Sequence, residues 1–146
     1  MANAFRISNV TAKRLADSFD DEVNVGAQVA SMRILNGAQP ADPDTAETGT
    51  LGAEILFAAT AFGGATDAAP GGLLTLAGVP LSDASADNAI DPATYFRIRN
   101  DNSGTPDDVA DGSVGTATSD LILNTTAITA GSIVTLNSMT VTMPEA

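Results

Sequence analysis

Only one stretch of this chain carries a helical period; nearly everything after it alternates with a period of two and is broken every few residues by Gly, Pro, Asp or Asn. Ala12, Leu15, Ala16, Phe19 and Val23 recur at three- and four-residue spacing and make a single apolar stripe. Ser8 or Asn9 is placed to cap its first turn, and Gly26 to stop it, so the spacing predicts a helix over about 9–25. Beyond Gly26, Val29, Ser31, Arg33 and Leu35 alternate with Ala30, Met32, Ile34 and Asn36, which is strand periodicity ended by Asn36-Gly37. Further strands are predicted over 53–59, 73–77, 95–99 and 121–123. A long closing strand is predicted over 133–143, with a phase slip near Asn137 that reads as a bulge. The glycine-rich stretch 62–72 and the polar stretches 83–91 and 100–104 read as turns or loops, and Asp111-Gly112 as a hairpin turn. Parallel strands need helical crossovers that this pattern lacks. The expected fold is therefore mainly β. It is an antiparallel β-sandwich or jelly-roll-like barrel with one N-terminal α-helix, a single domain over 1–146.

Composition narrows the chemistry. There is no histidine, cysteine or tryptophan. Most nucleophile, base and transition-metal sites need a side chain that titrates or coordinates near neutral pH, and those are the missing types. Gly63-Gly64 and Gly71-Gly72 are not followed by the Gly-Lys-Ser/Thr of a phosphate loop. The expectation is a non-enzymatic protein with no cofactor. Acidic residues number 18 against 6 basic, a net charge of −12 that repels nucleic acid and anionic lipid alike. Charged residues are only 16 % of the chain, which suggests a surface partly covered by neighbouring subunits. No leader or membrane-spanning segment is expected.

Two groups of residues invite a functional reading. Asp101, Asp107, Asp108 and Asp111 could gather around Ca²⁺, although the spacing is not that of an EF-hand and turn-forming aspartates explain the same residues. Asp42 and Asp44 around Pro43 have the same two readings. Arg33, Arg97 and Arg99 are half of the basic side chains and fall in predicted strands. They either pair with aspartates of the same chain or grip carboxylates of a neighbour, for which the guanidinium fork is suited. Residues 38–52 form a loop long for a connector inside a compact domain. The candidates for contact with a partner are accordingly Arg33, Arg97 and Arg99, with Pro40 and Pro43 in that loop and Phe19 on the helix. On this reading the helix is an appendage, and removing residues 2–24 leaves a folded sandwich that no longer joins its partner.

A series of marks runs through most of the chain: Gly37-Ala38-Gln39-Pro40 after the first strand, Pro43-Asp44-Thr45-Ala46-Glu47-Thr48-Gly49-Thr50-Leu51, and Ala61-Phe62-Gly63. Tyr95-Phe96-Arg97-Ile98, Asp111-Gly112-Ser113-Val114-Gly115, Asp120-Leu121-Ile122-Leu123-Asn124 and Thr140-Val141-Thr142-Met143-Pro144 complete it. Together they resemble a family of small virion-associated proteins of tailed bacteriophages and prophages. The acidic segment 100–108 is longer than the corresponding turn of that family. The resemblance implies a structural role in the virion, assembled in the host cytoplasm with the major capsid protein or other virion subunits as partners, and with copies of itself as a homo-oligomer. Two virion roles compete, a capsid decoration or cement protein and a neck or tail component, beside a third reading from another class, a receptor- or glycan-binding module. The last ranks lowest, because Tyr95 is the only tyrosine of a tryptophan-free chain.

Overall fold

The structure, a computed structural model, describes residues 5–68, 71–100 and 107–144. Helix α1 spans Asn9–Val23. Ser8 stands before it in extended conformation, and its hydroxyl accepts the Thr11 N–H at 3.3 Å. The helix stops two residues earlier than the apolar spacing predicts. Asn24 ends it by donating its side-chain amide to the Asp20 carbonyl and carboxylate at 2.9 and 2.6 Å.

Ten strands follow among the described residues: β1 (Ser31–Leu35), β2 (Leu51–Leu56), β3 (Thr66–Ala68), β4 (Gly71–Thr75), β5 (Leu81–Asp83), β6 (Tyr95–Arg99), β7 (Asp108–Gly115), β8 (Leu121–Ile122), β9 (Val134–Leu136) and β10 (Thr140–Met143). They form a five-stranded sheet in the order β2-β1-β6-β7-β8, a three-stranded sheet β10-β4-β3 and a two-stranded sheet β5-β9. All pairings are antiparallel except β7 with β8. The mainly β architecture with one helix among the described residues agrees with the sandwich or barrel-like expectation.

The core lies between the sheets. Met32, Ile34, Ala53, Ile55, Phe96 and Ile98 project from the large sheet toward Phe62, Leu74 and Leu76. Phe62 is the aromatic hub, with Phe19 and Phe57 rings at centroid distances of 6.1 and 6.2 Å in tilted and edge-on arrangements. Helix α1 belongs to this core. Ala12, Ala16 and Val23 are fully buried, and the helix lies on β4 so closely that a Cβ at Gly72 would stand 2.6 Å from the Lys13 Cα. Two side chains of its C-terminal half and the capping Asn24 also satisfy backbone donors elsewhere. Asp17 accepts from Ala65 at 2.7 Å, Asp20 from Phe62 at 3.3 Å and Asn24 from Ala61 at 2.8 Å. The picture of an appended helix is therefore corrected: its removal strips one wall of the core and leaves three N–H groups without partners.

Three local expectations are also corrected. Asp111-Gly112 is not a turn but the middle of β7, where Asp111 faces Arg97 and Gly112 faces Phe96 across the ladder. Glycine is required there by close approach, since a Cβ would run into the Phe96 ring. The run 133–143 is not one bulged strand: β9 pairs with β5, and β10 crosses to the other sheet to pair with β4. The glycine-rich stretch 62–72 contains β3 and the start of β4, paired Thr66 with Leu73 and Ala68 with Gly71. Apart from Asn100, the expected turn at 100–104 falls outside the described residues, as does Asp101 of the possible calcium group.

Candidate functional site

The outer face of the large sheet carries a row of charge. Antiparallel register sets Glu54 of β2 opposite Arg33 of β1, Arg33 opposite Arg97 of β6, and Arg97 opposite Asp111 of β7. Two arginines directly opposed across a ladder repel each other unless carboxylates intervene. They do so here from both flanks and from above. Arg33 donates Nε and Nη2 to Glu47 at 2.7 and 3.0 Å and Nη1 to Glu54 at 3.2 Å. Arg97 donates Nε and Nη2 to the two oxygens of Asp111 at 2.6 and 2.7 Å, a bidentate fork. Its Nη1 meets Asp108 at 2.6 Å and the Thr45 carbonyl at 2.8 Å, and Nη2 reaches the Asp42 carbonyl at 3.5 Å. Five donor hydrogens thus find five acceptors. Arg99 donates Nε to the remaining Asp108 oxygen at 2.7 Å and lies 3.5 Å from Glu47.

The lid over this row is the loop between β1 and β2. Asn36 and Thr50 close its base, the Asn36 N–H on the Thr50 carbonyl and the Asn36 amide oxygen on the Thr50 N–H. The Tyr95 hydroxyl donates to the Thr48 carbonyl at 2.7 Å and accepts from the Thr48 N–H at 3.0 Å. Thr48 in turn donates its hydroxyl to the Ala38 carbonyl. The result is deep burial of charge: the Arg97 side chain has no exposure and that of Asp111 only 4 %. Hydrogen bonding to Asp111 raises the Arg97 pKa above its ordinary value against the opposing effect of burial. For Arg33, burial alone disfavours the charge, but Glu47 and Glu54 outweigh it and its pKa is also raised. Among the described residues no buried side-chain polar atom lacks a partner.

This arrangement decides between the two readings of the arginines. Arg97 is directed wholly to its own chain, so it is corrected from a partner contact to an internal tie. Arg33 and Arg99 keep side-chain exposures of 17 % and 24 % but give their forks to Glu47, Glu54 and Asp108. Phe19 is likewise turned inward, against Phe62. Pro40 and Pro43 remain half-buried on the loop surface. Both oxygens of Asp108 and of Asp111 are taken by guanidinium groups, and no group of three or more potential metal ligands occurs among the described residues. Glu47, Glu54 and the Tyr95 hydroxyl escaped sequence reasoning. Their one signal was the count of strand arginines, each of which needs a counter-charge once buried.

A second feature lies on the opposite side of the large sheet. Between β7–β8 and the β9–β10 segment the sandwich stays open as an apolar groove of about 660 Å³. Phe19, Met32, Phe96, Leu121, Met139 and Val141 line it. Exposed Asp120 and Ile122 also belong to its lining, Ile122 at 62 % exposure. Asp120 accepts both the N–H and the hydroxyl of Ser113, at 2.9 and 2.7 Å, which lowers its pKa and keeps it ionised. No helix among the described residues is long and apolar enough to cross a membrane. The chain matches no family profile, no curated protein and no solved structure.

Proposed function

We propose that this chain is a non-enzymatic structural protein of a tailed-bacteriophage virion, a decoration or cement protein that binds the outside of the major capsid shell and stabilises it. The observation that carries this reading is the direction of the charge. Three of the six basic side chains are drawn into a saturated internal network, so what faces outward is dominated by carboxylate. Such an exterior suits a module that works outside the shell, away from packaged DNA. The carboxylates that could act as acid or base beside the arginines are already salt-bridged, which favours a structural role over catalysis. The resemblance supports the same reading in a spatially coherent way. Two of its marks, the segment 43–51 and the strand Tyr95–Arg99, are the lid and the strand it covers, joined through Tyr95 with Thr48 and Arg97 with Thr45.

Quantitative mass spectrometry of purified particles tests the assignment. A decoration protein is present at hundreds of copies per particle. A count on the order of a dozen or fewer moves the chain to a neck or tail ring, and absence from particles overturns the virion reading.

A further inference from the structure

The apolar groove is bounded by the free edges of two sheets. β8 is the last strand of the five-stranded sheet and β10 of the three-stranded one, and residues of both line the groove. Beside β10, the Leu76 N–H donates to the Met139 carbonyl at 3.0 Å, and Val141 and Met143 stand opposite Leu74 and Gly72. Antiparallel alternation then turns the backbone groups of Val141 and Met143 to β4 and those of Thr140 and Thr142 to the other side. In β8, Ile122 stands in parallel register with Gly115, whose carbonyl accepts the Leu123 N–H at 2.9 Å. The Ile122 N–H and C=O therefore face away from β7. Among the described residues no further strand pairs with either edge. Sheet edges are normally guarded by a charge, a proline or a bulge. Leu121-Ile122 and Thr140-Val141-Thr142-Met143 contain no charged residue and no proline, and their registers run without a shift.

We propose that the groove accepts an extended segment of a partner polypeptide, which adds to the free edge of β10 and lays alternate apolar side chains over Phe19, Phe96 and Leu121. The backbone selects this occupant. Outward N–H and C=O groups at Thr140 and Thr142 call for a ladder partner, and a polypeptide supplies donors and acceptors at that spacing. An apolar small molecule would cover the floor and leave both pairs of groups to water. β8 forms the far wall, with Ile122, 62 % exposed, available to close over the added strand. Charge narrows the partner further. No Lys or Arg lines the groove and the chain carries a net charge of −12, so the incoming segment is neutral or basic. A second copy of a chain with 18 acidic residues against 6 basic fits that demand poorly. The four residues of β10 offer an edge of about 13 Å at ~3.3 Å per residue, so the strand is short and its contact weak by itself. It anchors a partner held by other contacts or by repetition. This inference rests on the groove and its two edges and not on the virion reading.

A panel of labelled heptapeptides tests it, each with Val, Ile, Leu or Phe at alternate positions, Thr between them and Lys at both ends. They are titrated into the full chain and followed by fluorescence anisotropy. At least one is expected to bind with a Kd below about 1 mM. Its addition should slow amide hydrogen exchange at Thr140 and Thr142, read by NMR, at least ~10-fold. Thr142→Pro removes an outward N–H and no bond to β4, a change that edge strands tolerate, and should weaken binding at least ~10-fold. The same peptide N-methylated at the residues that face β10 keeps every side chain and leaves the protein unaltered, and should lose as much. A panel with no binder overturns the proposal. So does equal binding of the N-methylated peptide, which means that the groove takes apolar groups without a ladder. Concentration-dependent self-association of the wild type in sedimentation equilibrium, lost in Thr142→Pro, would make the occupant a second copy and overturn it as well.

Discussion

Replacing Arg97 by alanine removes the one guanidinium among the described residues with no solvent access and leaves Asp111, 4 % exposed, facing its former partner's empty place. Asp108 keeps its bond to Arg99 and is buffered. Breaking a buried ion pair from one side costs about 3–5 kcal/mol, because the surviving charge stays desolvated. The loss of two lid anchors, the Thr45 and Asp42 carbonyls, acts in the same direction. Against a total stability of about 5–15 kcal/mol this is a large fraction, and at about 2–4 °C per kcal/mol for a chain of this size the melting temperature should fall by roughly 10 °C. Replacing both members, Arg97→Met with Asp111→Leu, removes the charges together and should recover most of that loss. Urea unfolding followed by far-UV circular dichroism measures both. The near-UV signal of Tyr95, the sole tyrosine, reports the lid separately. An Arg97→Ala protein that melts within about 2 °C of the wild type would show that the row is not desolvated and would return Arg97 to the surface-contact reading.

Tyr95→Phe deletes a hydroxyl that both donates to and accepts from Thr48, and should cost about 1–2 kcal/mol while making residues 38–50 more susceptible to limited proteolysis, with the far-UV spectrum intact. Asn24→Ala leaves the Ala61 N–H unpaired and uncaps α1, an expected loss of about 1–3 kcal/mol in the same urea assay, and deletion of residues 2–24 should yield no cooperative melt. The Asp120 carboxyl has a folded pKa below its ordinary 3.8, so its contribution is fully present above 3.8 and is lost as pH falls through the folded value. Asp120→Asn should therefore lower stability at neutral pH and flatten its decline below pH 3.8, read from melts in an acid series.

What the sequence made legible was set by local physics. Ser8 caps a helix where a short polar residue precedes an apolar stripe, and Tyr95–Arg99 is a strand from end to end because Phe96 and Ile98 alternate with Tyr95, Arg97 and Arg99 without a breaker. The misreadings arose where a distant partner outweighed local preference. Asp-Gly favours a tight turn, yet at 111–112 the aspartate answers Arg97 and the glycine makes room for Phe96. A β-rich run at 133–143 looks continuous, yet its two halves find different sheets at β5 and β4. The arginines were recognised as exceptional, but their direction depended on Glu47, fourteen residues from Arg33 in sequence and above it in space. No periodicity encodes a loop folding back over a sheet.

Strand β4 is flanked by β3 and β10 and overlain by α1, so elements from opposite ends of the described chain converge on five residues. Time is the quantity this affects. Neither α1 nor β10 can find its place until chain segments of some fifty to seventy intervening residues have been brought to order, and closing such long segments precedes any reward from the contacts they make. Until then β4 offers an uncovered apolar face and an unpaired edge, the features through which partly folded chains adhere to one another. Folding of this protein should be slow and should tolerate crowding of nascent copies poorly, so the yield of native molecules will depend more on the concentration at which the chain folds than on the final stability of its sandwich.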